Sequence, residues 1–195
     1  AMQQLVNEFR DYARLPAARL HALELNALVA EVLALYGQAI ESGRLRVRYG
    51  DALPPIVGDA TQLRQVVHNL VQNALDAVTD RADGCVEVAT EASRHDDGSV
   101  RAVRLVVADN GPGFADKVLK RAFEPYVTTK SKGTGLGLAV VKKIADEHGA
   151  RVRIGNRRGA DAAQAAGAQV SLSFSKFVAA AAAPATAASV PTSAT

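Results

Sequence analysis

Asn69 and Asn73 stand four residues apart, so a helix through them projects both amides from nearly one face, where they can meet a single ligand. The plain alternative is a pair of exposed or capping asparagines. Asp109 follows an apolar run and immediately precedes Asn110-Gly111-Pro112-Gly113, a sequence that turns sharply out of a strand. A carboxylate held at that turn can accept an N–H hydrogen bond from the edge of a base, or it can serve only its own backbone. Gly133, Gly135 and Gly137 remove side chains where a helical pattern begins, which leaves backbone N–H groups and the positive end of the helix dipole free to meet phosphate. A flexible hinge competes with that reading, but Thr128, Thr129, Lys130 and Lys132 lie directly before the glycines. The spacing is neither the dinucleotide-binding fingerprint nor a P-loop, which would need Gly-Lys-Ser/Thr.

These groups need a scaffold. From Asp59 to Asp80 apolar residues recur at Leu63, Val66, Val67, Leu70, Val71, Ala74, Leu75 and Val78, the clearest helical period in the chain. Gln65, Asn69, Gln72, Asn73 and Asp76 form its polar stripe. The pattern predicts further helices over 3–18, weakened by Pro16, and from an Asn26 N-cap to Gly43, then another from Leu138 to His148-Gly149. Strands are expected at 45–49, 85–92, 102–108, 151–155 and 169–177, with a polar turn over 94–99 and a long glycine-rich loop over 109–137. Strands and helices that do not alternate regularly predict an α+β sandwich.

Composition narrows the classes. A chain of 195 residues with 48% hydrophobic and 22% charged residues holds one full domain and is neither disordered nor membrane-embedded in character. Aromatics are 5% and Trp is absent, so the core must be aliphatic. A net charge of +3 gives no case for nucleic acid. Lys117, Lys120, Arg121, Lys130 and Lys132 concentrate positive charge in one stretch, which from charge alone reads first as a solvated basic loop and also suits a polyanion such as a nucleotide. The single cysteine, Cys85, excludes an internal disulfide and fits a reducing compartment. No apolar run reaches the roughly 18 residues that span a bilayer. Residues 178–195, almost wholly Ala, Pro, Ser and Thr, are expected to be a disordered tail.

The ordered set Asn69-Leu-Val-Gln-Asn73-Ala-Leu-Asp76, Asp109-Asn-Gly-Pro-Gly-Phe114 and Gly133-Thr-Gly-Leu-Gly-Leu138 resembles the GHKL superfamily of ATPases and kinases. The string Phe123-Glu-Pro-Tyr-Val-Thr-Thr-Lys130 before the last of these is similar to the lid of sensor histidine kinases. The resemblance runs from about 59 to 174. It implies a two-layer α/β sandwich, with a mixed sheet and helices on one face. It implies ATP and Mg²⁺ as ligands: Asn73 would ligate the metal, Asp109 would bond the adenine amino group, and Gly111 and Gly113 would let the backbone pass close to the base. Lys130 and the 133–137 loop would hold phosphate, under a lid spanning 114–134. Asn69, Asp76, Phe123, Thr128, Thr129, Thr134, Leu136 and Leu138 join the expected nucleotide contacts, with Ser171 reaching the adenine side; Asn69, Asn73 and Lys130 are the expected catalytic residues.

Hydrolases of the superfamily carry a glutamate general base where Asn69 stands. An amide cannot take a proton from water, so the γ-phosphoryl is expected to be kept for another acceptor. In the family that acceptor is a histidine followed by an acidic residue. That pair would stand on a helix of a dimerisation domain. His21 is followed by Ala-Leu, His68 lies inside the 59–80 helix, His95 is in the polar turn over 94–99, and His148 precedes a helix-stop glycine, so none of them fits. The opening Val6-Asn-Glu-Phe-Arg-Asp-Tyr-Ala-Arg-Leu-Pro16 resembles the end of a dimerisation helix, particularly of NtrY-like sensor kinases. The expectation is therefore a piece of a longer protein: 1–20 the end of a dimerisation helix, 21–177 an ATP-binding catalytic domain, 178–195 a tail. Its partners would be an upstream phosphoacceptor domain in a homodimer and a response regulator. It would belong to the cytoplasmic part of an inner-membrane sensor, without direct membrane contact. The alternatives are a serine kinase of the anti-sigma type and a nucleotide-binding module that does no chemistry.

Overall fold

The computed structural model describes residues 2–124, 137–158 and 165–178. Its elements are α1 (Met2–Ala13), β1 (His21–Leu23), α2 (Leu25–Leu33), a 3-10 turn at Ala34–Tyr36, α3 (Gly37–Glu41), β2 (Leu45–Arg48), β3 (Ile56–Gly58) and α4 (Ala60–Ala77). There follow β4 (Val86–Arg94), β5 (Val100–Asp109), α5 (Asp116–Arg121), α6 (Gly137–Glu147), β6 (Arg151–Arg158) and β7 (Ala165–Phe174).

Five strands form one mixed sheet in the order β2-β4-β5-β7-β6, in which only the β2–β4 pair is parallel. Side chains alternate across the sheet. Val86 and Val88, then Val103, Leu105 and Val107, then Val170, Leu172 and Phe174 are buried and fall on one face. Against them pack the apolar stripes of α2, α4 and α6, with Leu63, Val66, Leu70, Val141 and Ile144 in the same core. The opposite face carries Arg46, Arg48, Glu87, Glu91, Arg104 and Arg153 at paired register positions. Helices on one side and an arginine-rich, polar surface on the other make a two-layer α+β sandwich.

The long helix begins where its sequence dictates. Asp59 is the N-cap of α4, extended in backbone, and its Oδ1 accepts from Gln62 N at 3.1 Å. Its Oδ2 accepts from Arg19 N at 2.9 Å, and Asp59 N donates to His148 Nε2 at 2.9 Å. Burial pushes the Asp59 carboxyl up, but the N–H groups of Arg19, Gln62 and Thr61, with His148 nearby, outweigh it and hold the pKa below its ordinary 3.8. A depressed carboxyl stabilises the fold above the unfolded value, and that stability is lost as pH falls through the folded one. Asp59→Ala should therefore cost about 1 kcal/mol at neutral pH. In urea unfolding the gap between variant and parent should close as the pH is taken below 3.8.

Several elements differ from the sequence pattern. The helix expected from Asn26 starts at Leu25, with Glu24 at the cap, and breaks into a 3-10 turn at Ala34–Tyr36. Asn26 does not cap; its amide donates to Gly50 O and its Oδ1 accepts from Thr90 Oγ1, tying α2 to β4. The two short strands β1 and β3 pair with each other, and α5 occupies part of the expected glycine-rich loop. α1 stops three residues before Pro16. The tail beyond 178 lies outside the described residues.

Candidate nucleotide site

The polar stripe of α4 and the end of β5 meet at one crevice. Asn73 and Ala77 are one helical turn apart on α4. A Cβ added at Gly137, the first residue of α6, would lie 3.0 Å from Asn73 Nδ2. A Cβ at Gly111 would lie 2.7 Å from Ala77 O and 2.9 Å from Asp109 Oδ1. The start of α6 and the turn after β5 thus press on consecutive turns of the same helix face. At Gly111 the neighbour is backbone and only glycine admits the approach, while at Gly137 a side chain would have to push the Asn73 amide aside. Asn69 and Asn73 are half-buried along this edge.

Asp109 is the last residue of β5 and 5% exposed, on the helix-facing side of the sheet. Its Oδ1 accepts from Gly111 N at 2.8 Å and from Ala168 N at 3.3 Å. Those bonds fix the carboxylate while the chain turns. Gly113 continues the turn at φ +78°, a left-handed conformation that favours glycine. The loop is tied down on both sides. Asn110 Oδ1 accepts from Cys85 N at 2.8 Å and its amide donates to Asp83 O at 2.8 Å. Asn156 on β6 brackets Phe114, accepting from its N at 2.6 Å and donating to its O at 2.9 Å.

Of the expected site residues, the structure gathers Asn73, Asp109, Gly111 and Gly137 at the crevice, with Asn69 one turn before Asn73 and Gly113 in the adjoining turn. Leu138 is half-buried against the core at the start of α6, and Phe123 is half-buried just after α5. Asp76 is exposed, and Gln72 Nε2 donates to its Oδ1 at 2.9 Å within the helix. Ser171 is not brought to the crevice: it pairs with Val106, an odd three residues from Asp109, so it lies on the opposite face of the sheet. The backbone of Ala168, not the Ser171 side chain, reaches the carboxylate. Thr128, Thr129, Lys130, Gly133, Thr134, Gly135 and Leu136 lie outside the described residues.

Three contributors escaped the sequence reading. Gly167 has φ +131°, and a Cβ there would lie 1.8 Å from Asp109 O, so β7 crosses directly against the end of β5. Its only signal was a glycine interrupting an alanine-rich stretch. Asn156 carried no signal, since nothing local marks a side chain that bonds 42 residues away. Asn110 read as a turn former only.

The crevice has the chemistry of a purine nucleotide site: a fixed carboxylate beside a close-passing backbone, then an amide pair beside a helix N-terminus. Residues 58–176 match the family of histidine kinase-, DNA gyrase B- and HSP90-like ATPases. The chain is 34% identical over 160 residues to the sensor histidine kinase ZraS of Escherichia coli K12, covering 81% of this chain and 33% of that protein. It is 34% identical over 175 residues to a putative NtrY-like sensor histidine kinase of Rickettsia conorii, covering 89% of this chain and 27% of that one. It therefore spans about a third or less of these relatives. Among solved structures, the catalytic domain of histidine kinase ThkA superposes with a TM-score of 0.66 at 29% identity, covering 81% of this chain and 96% of that domain. The chain thus belongs to the histidine kinase-, DNA gyrase B- and HSP90-like ATPase family, as an ATP-binding catalytic domain of the sensor histidine kinase kind.

Proposed function

We propose that this domain binds ATP with Mg²⁺ and delivers the γ-phosphoryl group to a histidine on an upstream dimerisation domain, for relay to an aspartate of a response regulator. The observation that carries the reading is the contact of the Asn73 amide with Gly137 beside a carboxylate anchored at Asp109. The close approaches at Gly137 and Gly111 bring the start of α6 against Asn73 and the turn after β5 against Ala77 and Asp109, so the groups this reading needs share one edge of α4.

In this reading Asp109 accepts from the adenine amino group, and the backbone of Gly111 and Gly113 passes along the base. The backbone N–H groups at the start of α6 meet phosphate, as do Lys130 and the 133–136 loop. Asn73 offers one amide oxygen to the metal. Phosphate oxygens and water would supply the remaining ligands of the metal. When bound, Mg²⁺ neutralises charge on the phosphates and draws electron density from the transferring group. Asn69 stands where a hydrolase needs a proton acceptor, and its amide holds water without activating it. α1 is then the end of a dimerisation helix, with 14–20 leading from it into the domain, and the domain is the cytoplasmic part of a membrane sensor. No helix among the described residues is long and apolar enough to cross a membrane.

The 195-residue chain should bind ADP and ATP by calorimetry and incorporate no phosphate from γ-labelled ATP. Label on any histidine of this chain would overturn the reading. Asn73→Ala should abolish most of the dependence of nucleotide affinity on Mg²⁺. Equal gains on adding the metal to variant and parent would remove Asn73 from the coordination shell.

A further inference from the structure

Among the described residues, three hydrogen bonds tie the segment entering the domain to α6, to α4 and to the α4 N-cap, beside the packing of Tyr12 and Leu15 on the core. α1 ends at Ala13, leaving last-turn carbonyls without helical partners and a concentration of negative charge. Lys143 on α6 answers it: its Nζ donates to Tyr12 O at 2.8 Å and lies 5.1 Å from the centre of the Tyr12 ring. Four residues on, Gln62 in the first turn of α4 donates from Nε2 to Pro16 O at 2.7 Å. Gln62 is 4% exposed, and its Oε1 meets no hydrogen-bond partner among the described residues. An apolar side chain would fill that position without leaving an oxygen unsatisfied, so the amide's contribution here is its bond to the entering chain. The third contact is Arg19 N to Asp59 Oδ2.

These anchors sit on the functional helices without touching the crevice. Lys143 lies six residues along α6 from Gly137, and Gln62 lies three turns along α4 from Asn73. We propose that Lys143 and Gln62 are positioning residues that lock the direction in which α1 leaves the domain to the α4–α6 pair. Resting on the function proposed above, this sets the angle at which the phosphates are presented to the segment beyond α1. Lys143 and Gln62 thus govern delivery of the phosphoryl group, while nucleotide binding is left to the crevice.

The test uses the whole chain with Cys85→Ser, spin labels at Val6→Cys on α1 and Asp96→Cys in the β4–β5 turn, and electron–electron distance measurement. The parent should give one narrow distance distribution. Lys143→Met should broaden it, Lys143→Met with Gln62→Leu should broaden it further, and Lys143→Arg, which can still donate to Tyr12 O and lie over the ring, should restore it. ADP affinity should stay within about twofold throughout. A narrow, unshifted distribution in the double variant would overturn the proposal. So would a fall in ADP affinity that tracks the broadening, since the residues would then be supporting the crevice itself. A parent chain that binds no nucleotide would refute the proposed function and leave the distance result standing.

Discussion

Asp109→Asn should lower ATP and ADP affinity by about 10- to 100-fold. The carboxylate is nearly inaccessible, and Oδ1 is committed to Gly111 N and Ala168 N. Asparagine can keep an acceptor oxygen toward those two backbone groups, so the turn should hold and the melting temperature should change little. What it cannot keep is acceptance at both oxygens: the second position becomes an NH₂ donor, facing the donor that the adenine amino group presents. A hydrogen bond to a charged group contributes about 1.5–3 kcal/mol, and each 1.4 kcal/mol is about tenfold in affinity. Calorimetric titration of folded variant and parent reads the effect directly. Equal affinities would remove Asp109 from the base site.

Gly167→Ala should be the more damaging change to the fold, costing about 3 kcal/mol or more in urea unfolding. Two penalties combine. At φ +131° any L side chain is strained, at a cost of about 1–3 kcal/mol. The added methyl would also sit 1.8 Å from Asp109 O and 2.7 Å from Asp109 C, neither of which is the movable end of a side chain. The strands must part for it to fit, and the residue displaced is Asp109, whose carboxylate is proposed to bind the base. Nucleotide affinity should therefore fall along with stability. A variant as stable as the parent would mean that β7 does not cross against Asp109 as described.

Much of the site was legible in the sequence because its chemistry is compact in the chain. Asn69 and Asn73 announce a shared helix face by their spacing, and Asp109 announces a strand end by the Asn-Gly that follows. The scaffold was legible where a single period ran long enough, as in the 60–77 helix with its Asp59 cap. What failed did so where partners distant in sequence decide the outcome. Asn26 has the local character of an N-cap, yet two acceptor and donor groups at Gly50 and Thr90 claim its amide. β1 and β3 are three residues each and depend on distant partners: they pair with one another, and β3 also meets Phe177 and the Lys176 carbonyl near the end of the domain. Ser171 was misplaced because the β5–β7 register, which no local pattern encodes, puts it opposite Val106. Gly167 was passed over because its necessity arises from the Asp109 backbone 58 residues earlier.

The central claim is that residues from α4, the β5 turn and the start of α6 converge on one adenine nucleotide. The most direct measurement is a titration of the isotope-labelled chain with Mg²⁺·ADP, followed by backbone amide and asparagine side-chain resonances. One set of shifts saturating together at the Asn73 side chain, Asp109, Gly111, Gly137 and Ala168 is the predicted result. Resonances of those groups that stay still while others move, or that respond with different midpoints, would contradict it.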